Sequence, residues 1–482
     1  MSQTAERIAA HPLVLLGKPV EGSEQASVRF PFDGTEVARV WLAGEDQIEL
    51  ALHGAAAAER EIAALPPFRR AEILLAAAEL VLARENSLAE QMTHETGNAV
   101  WETKFEVQRT AEILRLSADE ARRVSAAGEH VPIDAVPRGE GRIGYTRRFP
   151  VGTVLAITPY NAPLLLVAHK LGPALAAGCP CIVRPASKTP LSALSLGEIF
   201  LQAGAPPAAV SVLPCRTELA EKMVRDERVK MLSFTGSVPV GWHLRQVAAT
   251  PRVTLELGGN GAVIVNEDAD LDYVAERCAF GGYLRAGQAC ISVQRLFVHT
   301  AVYDALAEKL LEKIGALTTG NPLEETTLVG GLIDETAAEG AMSLIDEART
   351  AGATILCGGT REGTVVAPTL LADVPAELRV CTDEAFAPII VLERYDDVDE
   401  AIESANRSRF GLQAGLFTND IRIIHRAFER LEVGALIVND VNTFRVDQMP
   451  YGGVKQSGFG REGMRYAIRD MTEERLLVID PR

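Results

Sequence analysis

Between about residues 46 and 126, apolar positions recur three and four apart, as in AEILLAAAELVLARE, which is the spacing of amphipathic helices. From residue 142 the period changes. GRIGYTRRF alternates polar and apolar positions and reads as an extended segment. Short apolar runs follow: VGTVLAITP, CPCIVRP, VSVLP, KMLSFTG and RVTLEL, each a strand candidate. Helical patterns lie between them, in LLLVAHKLGPALAAG, LSALSLGEIFLQAG, RTELAEKMVRD and VPVGWHLRQVAAT. Apolar strands alternating with helices predict crossover units and a parallel sheet covered on both faces.

A second alternating series begins near residue 261. Its strand candidates are GAVIVN, SVQRLFVH, ATILCGG, PIIVLERY, AGLFT and GALIVND, and its helix candidates include LDYVAERCAFGGYLRAG and AVYDALAEKLLEKIGAL. Two α/β domains are expected, with a break near Gly258-Gly259. The last strand candidate, ERLLVID, follows a helix and has no partner nearby in sequence. It and the 127–148 segment are expected to pair with each other or with another subunit.

Composition narrows the class. The 482 residues are 47% hydrophobic and 23% charged, as in an ordinary globular chain of more than one domain. A net charge of −17 argues against binding a nucleic-acid backbone and against an anionic membrane surface. The start lacks the basic and apolar regions of a signal peptide, and no apolar run reaches the ~20 residues of a membrane span. A cytoplasmic protein is expected. Seven cysteines in a long chain of this kind argue against a disulfide framework. Cys179 and Cys181 read as core residues of a strand. The eight histidines show no H-E-x-x-H or comparable spacing, so no metal site is expected.

Four short constellations carry chemistry, and each admits two readings. FTGSVPVG, Phe234 to Gly241, is a strand–Gly–helix turn whose first amides suit a pyrophosphate, or a turn with a purely architectural role. Asn161, in the strand end ITPYNAP, either donates to a developing oxyanion or caps the next helix. Cys290, in LRAGQACIS, is an accessible nucleophile among small neighbours or a buried cysteine. Glu256, before two glycines in ELGGN, is a general base of raised pKa or a turn carboxylate.

Together these pieces resemble one family. ITPYNAP, IVRPASKTP, FTGS, LELGGN, GQAC, DEAFAP and MPYGGVKQSGFGREG stand in the order and approximate spacing of the aldehyde dehydrogenase superfamily, from about residue 10 to the C-terminus. The resemblance implies that Cys290 is the nucleophile and Glu256 the base that activates the deacylating water. Asn161, with the Cys290 backbone N–H, would form the oxyanion hole. Oxidation of an aldehyde to the acid would pass through a thiohemiacetal and a thioester, and Glu256 favours hydrolysis over transfer to coenzyme A. An acylating or thioesterase-like relative and a non-catalytic member are the competing readings.

The implied fold has two Rossmann-like parallel-sheet domains and a small β segment. Residues 1–123 and 146–258 would bind NAD(P), 259–465 would be catalytic, and 124–145 with 466–482 would make homodimers or homotetramers. Cofactor contacts are implied at Ile157, Thr158, Pro159, Tyr160, Arg184, Ala186, Ser187, Phe234, Gly236, Ser237, Gly241, Leu257, Gly258, Glu384 and Phe386. Three positions depart from the common pattern: Arg184 replaces a lysine, Ser187 replaces the glutamate of many NAD-preferring members, and Ala387 replaces a glycine. Loss of that glutamate removes a repulsion against a 2′-phosphate, so NAD and NADP both stay open, with a slight lean to NAD. The implied substrate walls are Ala162, Leu166, His169, Leu284, Ala289, Ile291, Thr443, Arg445 and Tyr451. NTFRVDQMPYGGVK resembles lactaldehyde and semialdehyde dehydrogenases. Arg445 would then receive a substrate carboxylate, or else pair internally with Asp447.

Overall fold

The computed structural model describes residues 9–124 and 128–481. Residues 1–8, 125–127 and 482 lie outside the described residues, and with them the first residues of the signal-peptide reading and the end of the helical pattern at 125–126.

Two open sheets dominate. In the first, five parallel strands run in the order Val253–Glu256, Met231–Thr235, Val154–Ile157, Cys181–Arg184, Val210–Val212. Antiparallel strands extend both edges: Gly458–Phe459 on one side, Leu13–Leu15 and Lys18–Val20 on the other. Side chains alternate between two cores as the pleat requires. Val154, Ala156, Cys181 and Val183 face one, with helices Pro67–Leu82, Val100–Val124 and Pro163–Ala177. Leu155, Ile157, Ile182 and Phe234 face the other, with helices Glu45–Ala64 and Val238–Val247. Burial on both faces explains why these strands read as continuous apolar runs.

The chain winds from Val154–Ile157 outward to Val210–Val212, then crosses back to Met231–Thr235 on the other side. The carboxyl ends of Val154–Ile157 and Met231–Thr235 therefore flank the crevice where strand order reverses, the usual ligand position of such sheets. The ITPYNAP and FTGS turns follow these two strands directly.

The second sheet has seven strands in the order Thr354–Cys357, Thr369–Ala372, Ile389–Tyr395, Val293–His299, Gly261–Val265, Gln413–Phe417, Ala435–Val438. All but the first run parallel. Val253–Glu256 ends one sheet and Gly261–Val265 opens the other, so the chain changes sheets at Leu257–Asn260. Thr369–Ala372 has no counterpart among the strand candidates: four buried residues are too few to show a period.

The C-terminal strand Thr472–Ile479 pairs antiparallel with Ile143–Pro150, from Thr472 opposite Pro150 to Ile479 opposite Ile143. His130–Val131 adds a short third strand. Of the two pairings open from sequence, the one within the chain is formed. No helix among the described residues is long and apolar enough to cross a membrane. All seven cysteines are free.

Candidate active site

The loop after Val154–Ile157 carries Asn161 into helix Pro163–Ala177. The first turn of that helix receives no side-chain cap from its own loop. Its amides are satisfied instead by Glu106 of helix Val100–Val124, whose Oε1 lies 3.0 Å from both Leu164 N and Leu165 N. Asn161 is thereby released from capping. Its backbone carbonyl accepts from Asn98 Nδ2 at 3.2 Å and Arg285 Nη1 at 3.3 Å, and its side-chain Nδ2 donates to Gln288 O at 2.9 Å.

Arg285 and Gln288 belong to the loop that carries Cys290. After helix Leu271–Tyr283 the chain takes three consecutive left-handed residues: Arg285 (φ 54°), Ala286 (φ 52°) and Gly287 (φ 73°). Two of these are not glycine, a conformation that needs external support. Arg285 supplies it. Its backbone N–H donates to Glu102, and its Nη2 pairs with Glu106 Oε2 at 3.0 Å. The two oxygens of Glu106 thus join the Asn161 loop to the Cys290 loop. Gly287 has no alternative, since a Cβ there would sit 2.1 Å from Ala387 O. Cys290 itself is half-buried, and its Sγ lies 2.9 Å from Tyr451 Oη. Burial pushes the thiol up to about 11, against the hydrogen bond from Tyr451.

Behind the thiol lies a cluster of buried charges. Glu256, at the end of strand Val253–Glu256, has two buried carboxylate oxygens with no hydrogen-bond partner among the described residues. Burial first, and repulsion from Glu462 second, hold its pKa well above the ordinary 4.5. Glu462 goes the other way. Burial opposes its ionisation, but Lys170, His169 and Arg445 hold it below the usual carboxylate range. Lys170 Nζ is 3.3 Å from Glu462 Oε1 and 3.0 Å from Ser233 Oγ.

Arg445 Nη2 is 3.1 Å from Glu462 Oε2, and Arg445 Nε is 3.6 Å from Asp447 Oδ1. Its guanidinium carbon stands 3.7 Å above the Tyr451 ring centroid. Nη2 also lies 3.3 and 3.4 Å from the two ring nitrogens of His169. The guanidinium thus stacks on the Tyr451 ring, touches His169 and is edged by two carboxylates. Asp447 is in turn held by Arg109 at 2.7 Å and His169 at 3.1 Å.

Asn161, Glu256, Cys290, Arg445, Tyr451 and Glu462 open on one cavity of about 280 Å³. Its lining includes the expected Pro159, Tyr160, Asn161, Leu166, Gly236, Ser237, Glu256, Leu257, Gly258, Cys290, Glu384, Phe386, Arg445 and Tyr451. Other expected residues stand back from it. Ala162 is buried under the loop, His169 lies behind Arg445, and Ala289 and Ile291 flank Cys290 along the chain. Thr443 packs against Gly281, and Leu284 faces a separate apolar cavity with Trp101 and Phe280. Ile157, Thr158, Phe234 and Gly241 form the floor of the strand ends. Arg184, Ala186 and Ser187 follow the next strand, where Arg184 Nη2 donates to Cys215 O at 3.1 Å and Ser187 Oγ at 3.2 Å.

Thr235 and Glu462 also line the cavity, and neither was singled out from sequence. Thr235 Oγ1 is buried with no hydrogen-bond partner among the described residues. Nor were Glu106, Arg285 and Lys170. A signal existed for Lys170, a lone cation in an otherwise apolar helix.

The crevice suits a dinucleotide. Helix Val238–Val247 presents its N-terminus at the reversal point, and the hydroxyl of Ser237 makes no capping bond within it. Opposite, Glu384 Oε1 accepts from Gly259 N at 3.0 Å, and its carboxylate fills the space over Gly258, where a Cβ would lie 2.2 Å from Oε2. Burial raises Glu384 to about 7.

Glu106→Ala would strand the Arg285 charge and two helix amides, so a loss of roughly 3–5 kcal/mol of stability is expected, read from chemical denaturation midpoints.

Comparison with known proteins agrees with this geometry. The family model described as the aldehyde dehydrogenase family matches residues 19–477. A 3-sulfolactaldehyde dehydrogenase of Priestia aryabhattai is 42% identical over 98% of this chain and 99% of its own. Aspartate-semialdehyde dehydrogenase 1 of Pseudomonas canavaninivorans is 40% identical over 93% and 95%. Among solved structures, aldehyde dehydrogenase 21 of Physcomitrella patens in complex with the reaction product succinate superposes with a TM-score of 0.95, at 40% identity and 98% coverage of both chains. Matches of this extent, over a fold and a cavity that meet the family's chemical needs, show that the chain belongs to the aldehyde dehydrogenase family of NAD(P)-dependent oxidoreductases.

Proposed function

We propose that this protein oxidises a small aldehyde bearing an acid group to the corresponding carboxylic acid, with Cys290 as nucleophile, Glu256 as hydrolytic base and Asn161 as oxyanion donor. The observation that carries the substrate class is the charge balance of the ion cluster behind the cavity, of which Arg445 and Glu462 reach the wall. Three cations, Arg445, Lys170 and Arg109, share two carboxylates, Glu462 and Asp447. Glu256 is held toward its neutral form by burial and by Glu462, and burial, with Arg445, lowers the pKa of His169 against the pull of Asp447 and Glu462. Buried charges without counterions are costly, so a surplus cation at a cavity wall favours an anionic ligand. Arg445 stays charged, since its carboxylate neighbours Glu462 and Asp447 outweigh the cost of its burial. The names of the relatives agree in kind: sulfolactaldehyde and aspartate semialdehyde carry an anionic group, and succinate is the product bound by the Physcomitrella patens enzyme.

The chemistry follows from the residues. The Cys290 thiolate adds to the aldehyde carbon, and the oxygen becomes an alkoxide. Asn161 Nδ2, turned from Gln288 O, and the Cys290 backbone N–H would hold it. NAD(P), when bound, supplies the hydride acceptor that turns the adduct into a thioester. Ser237, the first amides of helix Val238–Val247, Glu384 and Phe386 would hold that cofactor. Glu256 then takes a proton from water, which adds to the thioester carbon, and Cys290 leaves as thiolate. With no hydrogen bond holding its oxygens, Glu256 is unencumbered as a proton acceptor.

NAD is the preferred cofactor in this reading. The cations that the resemblance would place toward the adenosine ribose are already engaged: Arg184 by Cys215 O and Ser187, Lys188 by Asp334 at 2.8 Å. Residues 1–123 and 146–258 would form the cofactor domain, 259–465 the catalytic domain, and 124–145 with 466–482 the oligomerisation segment. The exposed apolar side chains of Ile143, Tyr145, Leu476 and Val478 on that antiparallel sheet support a homodimer or homotetramer. Seven free thiols suit the cytoplasm.

Two outcomes are expected. Arg445→Lys keeps the charge but loses the planar fork, so kcat/KM for an acid-bearing semialdehyde should fall at least about tenfold further than that for a neutral aldehyde of equal length. Equal effects on both would overturn the substrate class. Because Glu256 must be ionised to act and its pKa is raised, kcat should climb with pH along a limb well above 4.5. The limb should vanish in Glu256→Gln, and steady-state pH profiles with NAD and NADP read both this and the cofactor preference.

A further inference from the structure

We propose that Tyr451 is a catalytic residue, whose hydroxyl donates a hydrogen bond to the Cys290 sulfur and stabilises it as the thiolate, a role that rests on Cys290 being the nucleophile. The distance of 2.9 Å between Oη and Sγ is short for a contact to sulfur. A nucleophilic cysteine needs its thiolate, and cysteines reach that state beside cations, helix N-termini or strong donors. Around Cys290 the acidic groups Glu256 and Glu384 oppose ionisation, while Arg445 favours it from behind the tyrosine ring. The phenol is the group placed directly on the sulfur.

Three features fix it there. The backbone of Tyr451 exchanges two hydrogen bonds with Glu462, N to O at 3.1 Å and the reverse at 2.6 Å. Gly452 follows at φ 154°, and a Cβ there would sit 2.9 Å from Glu256 Oε1, so the turn closes directly over the candidate base. The ring is only 2% exposed, with the Arg445 guanidinium 3.7 Å above its centroid. A cation on the face of a phenol draws charge from it and strengthens its O–H as a donor. Tyr451 therefore connects the cation that would receive the substrate acid group to the sulfur that would attack its aldehyde. It keeps its own proton throughout, while the thiol proton leaves to water.

The test compares Tyr451→Phe with the wild type. Phenylalanine keeps the ring under Arg445 and removes only the hydroxyl. Alkylation of Cys290 by iodoacetamide is followed against pH, with the site identified by peptide mass spectrometry, and kcat and KM are measured with a semialdehyde. The expected result is an alkylation midpoint raised by about one pH unit, a kcat lowered about tenfold and a KM within about twofold of the wild type. An unshifted midpoint, a shifted midpoint with wild-type kcat, or a change confined to KM would overturn the proposal and leave Tyr451 as a pocket wall. Cys290→Ala serves as the control: turnover retained in that variant would refute Cys290 as nucleophile, an outcome separate from the fate of Tyr451.

Discussion

Glu106 is a carboxylate in the core of a helical layer, where an ion would be unstable without strong partners. Its partners are the first amides of the helix after Asn161 and the guanidinium of the loop before Cys290. Each needs the other two. The helix lacks a cap of its own, Arg285 sits in a left-handed conformation, and the carboxylate needs both to stay buried. One interaction therefore sets the distance between two loops that come from different sheets. The placement of Asn161 Nδ2 beside the Cys290 loop depends on it.

Around this joint the site is a low-dielectric cluster in which groups are tuned in pairs. Glu256 and Glu462 are both buried carboxylates, yet their environments drive them apart. Glu462 is surrounded by Lys170, Arg445 and His169 and stays ionised, while Glu256 has no hydrogen-bond partner for either oxygen among the described residues and resists ionisation. Separation of this kind lets one carboxylate hold charge and the other move a proton. Arg445 is anchored by the first, stacked on Tyr451, and lines the same cavity as Cys290.

The fold was legible where burial imposes a period. Strands such as Val154–Ile157 and Met231–Thr235 and helices such as Pro163–Ala177 follow directly from apolar spacing, as does the change of sheets after Leu257. The pairing of Thr472–Ile479 with Ile143–Pro150 was one of two open solutions, since spacing along the chain does not choose between partners. Cys290, Glu256 and Asn161 were picked out by their turns and by resemblance, and the structure gathers them at one cavity. Glu106, Arg285 and Lys170 escaped notice because their roles lie in contacts across 58 to 292 residues of sequence. A buried glutamate in helix Val100–Val124 looks like any other polar position until its partners are known. Arg445 was identified, but its stacking on Tyr451 has no local signature.

The central claim is that an acyl group resides on Cys290 during turnover, and the most direct measurement is to trap it. Glu256→Gln would be mixed with cofactor and a semialdehyde, quenched in acid and digested, and the Cys290 peptide weighed. The account predicts a mass increase equal to the substrate acyl group on that peptide, dependent on both aldehyde and cofactor. An unmodified Cys290 peptide under conditions where NAD(P)H has formed, or an acyl group on another cysteine, would contradict it.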